Sequence, residues 1–100
     1  MWREAVKTIA RAVRDLELDA ETYVVGGAAE NRLTVLSDVD VVVCVKQRLS
    51  PDDVWVLRKK ILGLAMDRHG LPIDYPVELH IYSLDECKEL MKHVKMLKID

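Results

Sequence analysis

The chain has 100 residues, half of them hydrophobic and 32% charged, with a formal net charge of −2. That length predicts a single domain over residues 1–100 that buries about two thirds of its unfolded surface, and it excludes a self-sufficient multidomain enzyme. The charge disfavours sequence-blind binding to nucleic acid, and no apolar run approaches the roughly 20 residues of a membrane helix. Met1-Trp2-Arg3-Glu4 places an acid where a secretory signal needs positive charge. Cys44 and Cys87 lie in apolar-patterned segments without metal-type spacing, so they are expected to be reduced, buried and inert, which points to the cytoplasm. Asn31 and Gln47 stand alone in their residue types, a composition that leans toward a thermophilic source.

Trp2, Val6, Ile9, Val13 and Leu16 recur at helical spacing and predict an amphipathic first helix. Glu21 to Gly27 then reads as a short strand ending in a glycine turn, with a brief helical turn expected over Ala28 to Leu33. Ser37 to Lys46 is the strongest strand signal. Val39, Val41, Val43 and Val45 share one face, while Asp38, Asp40, Val42 and Cys44 share the other. A strand apolar on both faces beyond an acidic start predicts a central position in a sheet, with the acids at an edge of the core. Ser50-Pro51-Asp52-Asp53 opens a long helix with Val54, Leu57, Ile61, Leu64 and Ala65 inward, ending at His69-Gly70. Val77, Leu79 and Ile81 alternate with Glu78, His80 and Tyr82 in a third strand. Ser83-Leu84-Asp85-Glu86 is a capping box for a last helix packed through Leu84, Cys87, Met91 and Val94, with Lys88, Lys92 and Lys95 as its basic stripe. The fold class is α/β (α+β), a short mixed sheet packed with helices.

Gly26-Gly27, Asp38-x-Asp40 and Glu78 form one chemical constellation. Residues i and i+2 of a strand share a face, so Asp38 and Asp40 aim two carboxylates at one region. Their repulsion is relieved by a cation, and all-oxygen donors suit Mg²⁺ or Mn²⁺. Glu78 supplies a third carboxylate if its strand lies alongside. The glycines let backbone N–H groups approach a phosphate. Taken singly, these signals have ordinary structural readings: a solvated strand start, a turn, an exposed strand acid. His80 falls on the polar side beside Glu78, where a histidine is either a metal or phosphate contact or, more commonly, a packed or solvated one.

Val24-Val25-Gly26-Gly27 followed by Leu36-Ser37-Asp38-Val39-Asp40-Val41-Val42-Val43 resembles the signature of the DNA polymerase beta nucleotidyltransferase superfamily. In size the chain is similar to the prokaryotic minimal nucleotidyltransferases, and Val77-Glu78-Leu79-His80-Ile81 matches their third acidic strand. The resemblance covers roughly residues 21 to 82. It implies a palm-like fold and transfer of a nucleoside monophosphate, AMP foremost, from a nucleoside triphosphate to a hydroxyl. Carried over, Gly26, Gly27 and Ser37 receive the triphosphate, and Asp38, Asp40 and Glu78 hold two Mg²⁺ or Mn²⁺ ions. Glu78 also acts as general base. The resemblance further implies a toxin–antitoxin setting with a small helical HEPN-type protein as partner, whose hydroxyl is one acceptor; a homodimer is the other assembly considered. Gly27 departs from the serine many members carry, so that phosphate contact falls to the backbone. Asn31, Arg32 and Thr34 are the polar side chains of the intervening loop. The competing reading is a non-catalytic interaction module of the same fold that binds a helical partner.

Overall fold

The computed structural model describes residues 2–26 and 38–99. Gly27, Ser37 and the helical turn expected over residues 28–33 lie outside them. The elements in chain order are α1 (Trp2–Asp15), β1 (Ala20–Val25), β2 (Val39–Val45), α2 (Pro51–His69), β3 (Val77–Ser83), α3 (Leu84–Met91) and β4 (Met96–Ile99). The strands form one sheet in the order β3-β2-β1-β4. β2 and β3 run parallel, while β1 is antiparallel to both β2 and β4. The mixed α/β architecture and the central place of β2 agree with the expectations.

Alternation along the strands divides the sheet into two unlike faces. Val39, Val41, Val43 and Val45 of β2, Leu79 and Ile81 of β3 and Val24 of β1 form one core with α1 and α2. Val6, Ile9 and Val13 bring α1 onto it, and Ile61 and Ala65 bring α2. Val54, Leu57 and Leu64 pack at the margin of the same core. A hydrogen bond between His69 Nε2 and Asp15 Oδ2 at 2.6 Å ties the carboxyl ends of the two helices.

Local signals set the helix ends. Asp53 N–H donates to Ser50 Oγ at 3.1 Å and Ser50 N–H to Asp53 Oδ2 at 3.3 Å, with Pro51 at the first helical position. Gly70 closes α2 in the left-handed conformation at φ 80° and donates to the Ala65 carbonyl. Ser83 and Glu86 repeat the capping box on α3.

Among the described residues, the opposite face is covered only at one end. There α3 lays Cys87 over β2 and bonds it to Cys44, and Val42, Tyr23, Val25, Tyr82, Leu90 and Met96 complete a second, smaller apolar cluster. This corrects the reading of the cysteines as reduced thiols. They are 43 residues apart, and only the docking of α3 on the even-numbered face of β2 brings them together. The inference of a reducing compartment drawn from them loses its basis. The last helix is also shorter than expected. It ends at Met91, leaves Met91 and Val94 exposed, and uses Leu90 in their place. Lys92 and Lys95 lie beyond it, so the basic stripe is not a helix face; Lys92 instead pairs with Glu89 at 3.2 Å. Residues 96–99 become a fourth strand against β1. Four residues of edge strand are too short for a period-2 pattern to emerge beside a helical run.

Candidate functional site

Asp40 is the second residue of β2 and Glu78 the second of β3, and the parallel register sets them directly opposite each other. Both point to the face that α1 and α2 leave open. Adjacent strands lie about 4.8 Å apart, so the pairing itself brings two carboxylates together without any loop to position them. His80, two residues along β3, faces the same way. Its Nε2 is 3.8 Å from Asp40 Oδ1 and 3.8 Å from Glu78 Oε1. One donor atom from each of Asp40, Glu78 and His80 lies within 4.8 Å of the other two. Tyr82, the next residue on that face, stacks on the His80 ring with centroids 5.9 Å apart and planes 13° from parallel.

Asp38 lies immediately ahead of β2 and is exposed. It is not one of the three groups drawn together. Gly26 ends β1 beside the site: a Cβ built on it falls 3.3 Å from Asp40 Oδ2, and its φ is +69°. The positive φ calls for glycine, while the close approach would make the Asp40 carboxylate shift by a few tenths of an ångström to admit a Cβ. We expect Gly26→Ala to lower Tm by roughly 4–16 °C, from the cost of about 1–2 kcal/mol for a left-handed L-residue. Thermal unfolding by circular dichroism checks this, and an unchanged Tm would contradict the conformation at Gly26.

The donor set suits a divalent cation. Two facing carboxylates repel at close range unless a positive charge lies between them, and an imidazole nitrogen completes a mixed oxygen–nitrogen set. The glycine keeps the approach to Asp40 open on the β1 side. Farther along the same face, Lys98 donates to Glu21 Oε2 at 2.8 Å. That bond holds the Glu21 carboxyl below its ordinary range, while partial burial lifts the Tyr23 phenol above its own.

A groove of about 720 Å³ lies at the other end of β2 and β3, against Lys46, Arg48, Ser50, Ser83 and Glu86. It is a poor anion site. Ser50 and Ser83 already accept a backbone N–H at the two helix starts, and each first turn carries two acids.

Sequence alternation was enough to place Glu78 and His80 on one face, but not to show that His80 turns toward both acids. That depends on the β2–β3 register.

The nucleotidyltransferase domain family model matches residues 6–97. No protein of curated function matches the chain. Among solved structures, the fold is similar to a candidate nucleotidyltransferase from Sulfolobus solfataricus, with a TM-score of 0.66 at 14% identity over 98% of this chain and 78% of that one. A second candidate nucleotidyltransferase gives a TM-score of 0.50 at 26% identity, with 89% of each chain covered.

Proposed function

The chain belongs to the nucleotidyltransferase domain family, and from that premise we propose that it transfers a nucleoside monophosphate, AMP foremost, from a nucleoside triphosphate to a hydroxyl. The observation that carries this reading is the pairing of Asp40 with Glu78 across parallel strands, with Gly26 beside them. Asp40, joined by Asp38 from just ahead of β2, would hold Mg²⁺ or Mn²⁺, and Glu78 would complete the place for a second ion. When bound, these ions neutralise the charge that builds on the phosphate oxygens.

Gly26, together with Gly27 and Ser37 of the sequence motif, receives the triphosphate through backbone and hydroxyl donors. Glu78 takes the proton of the acceptor hydroxyl as its oxygen bonds to the α-phosphorus. The bond from that phosphorus to the bridging oxygen breaks, and pyrophosphate leaves in line with the attack. Glu78 is 59% exposed in its side chain, which leaves an incoming hydroxyl free to reach it.

The acceptor we favour is a hydroxyl on a partner protein of the small helical HEPN type, in an antitoxin role. The net charge of −2 disfavours a polyanionic acceptor. Nucleoside triphosphates are a cytoplasmic pool, which supports placement there, and intracellular disulfides are established in hyperthermophiles. No helix among the described residues is long and apolar enough to cross a membrane.

The test is incubation with each nucleoside triphosphate and Mg²⁺ or Mn²⁺ in an extract of the source cells. The readouts are pyrophosphate release and a protein adduct of one nucleoside monophosphate by mass spectrometry. Transfer that requires Asp40 supports the enzyme reading. A chain that captures a helical partner yet releases no pyrophosphate would support the interaction module instead.

A further inference from the structure

We propose that His80 is a nitrogen ligand in the metal centre, making it an Asp40–Glu78–His80 site that binds Co²⁺ and Zn²⁺ more tightly than Mg²⁺. This rests on the metal-dependent reading above and names which ions that site prefers.

The position of the ring carries the inference. His80 Nε2 stands 3.8 Å from a carboxylate oxygen on each of Asp40 and Glu78. Both separations are too long for a hydrogen bond, so neither acid holds the nitrogen by one. The nitrogen is equally distant from the two acids. The ring also stacks on Tyr82, with the two planes 13° from parallel. Two donors on one metal ion are typically about 3.0–3.5 Å apart, given metal–ligand distances near 2.0–2.2 Å. Small side-chain rotations of three partly exposed groups therefore close the set around a single ion.

The other two histidines lack this setting. His69 is hydrogen-bonded to Asp15 at 2.6 Å, with Arg68 3.9 Å from the same carboxylate oxygen. His93 faces Glu89 alone, at 3.7 Å on an exposed helix end. Among the described residues, Asp40, Glu78 and His80 form the one cluster of three potential ligands.

Imidazole shifts preference away from Mg²⁺, which favours oxygen donors, toward the later first-row ions. The wild-type protein, its disulfide intact, is titrated with Zn²⁺ alone and followed by ¹H–¹⁵N correlation of the histidine rings. We expect the His80 Nε2 resonance to shift on the first equivalent, ahead of His69 and His93. In calorimetry, His80→Phe keeps a ring for Tyr82 to stack on and removes the nitrogen. It should weaken Co²⁺ and Zn²⁺ binding at least tenfold while changing Mg²⁺ binding less than about threefold.

Binding of Mg²⁺ that depends on Asp40 but leaves the His80 ring unshifted by Zn²⁺ would overturn this inference and spare the proposed function. Zn²⁺ going first to His69 or His93 would overturn it too. Absence of any Asp40-dependent ion binding would overturn both.

Discussion

Asp40→Ala is expected to reduce nucleotidyl transfer by about 10³-fold or more, with little change in stability. Metal-held charge neutralisation is worth several kcal/mol in the transition state, and each 1.36 kcal/mol is tenfold in rate. Asp40 is the group at which the site converges: it faces Glu78 across the strand pair, His80 along the sheet face and Gly26 at the end of β1. Its side chain is 37% exposed, and the apolar core of β2 lies on the opposite face. Removing it relieves repulsion with Glu78 and gives up one partly exposed pairing with His80, terms of about 1 kcal/mol or less each. Tm should therefore move by no more than about 4–8 °C. Pyrophosphate release with matched thermal melts checks the prediction. Loss of both activity and folding would instead make Asp40 a structural residue.

Breaking the Cys44–Cys87 bond is expected to have the largest effect on stability. The bridge spans a sequence separation of 43 residues, for which loop-closure entropy gives roughly 4 kcal/mol. In a chain of this size that corresponds to a Tm lower by roughly 15–30 °C. The effect should begin at α3, where Cys87 is the one buried residue. With the bridge gone, that helix is held by Leu90 and its capping box. Thermal unfolding of Cys44→Ala/Cys87→Ala beside the wild type, and of the wild type with and without reductant, measures the loss. Hydrogen exchange should show the amides of α3 losing protection before those of α1 and α2. Equal Tm values in all forms would mean that packing alone seats α3.

Where periodicity and caps are strong, the fold was legible from residues alone. Val39 to Val45 announced a central strand, Ser50 and Gly70 marked the two ends of α2, and Ser83 with Glu86 marked the start of α3. These are local signals, each complete within one turn or one strand. What escaped depends on distance in the chain. The disulfide joins residues that become neighbours only when α3 folds back over β2. The strand Met96–Ile99 has four residues and exists because β1 offers it an edge. The candidate site divides the same way. Asp40 and Glu78 could be chosen by motif and alternation, but their direct opposition and the turn of His80 toward both come from the β2–β3 register. Asp38, chosen by the same spacing as Asp40, lies exposed just outside the strand and outside the cluster.

On the proposed function, the Asp40–Glu78 pair makes a site for a divalent ion and a nucleoside triphosphate. Isothermal titration of the protein with a non-hydrolysable ATP analogue, with and without Mg²⁺ or Mn²⁺, tests it most directly. Binding should require the metal and should disappear in Asp40→Ala. Binding of equal strength without metal, or undiminished in Asp40→Ala, would contradict the account.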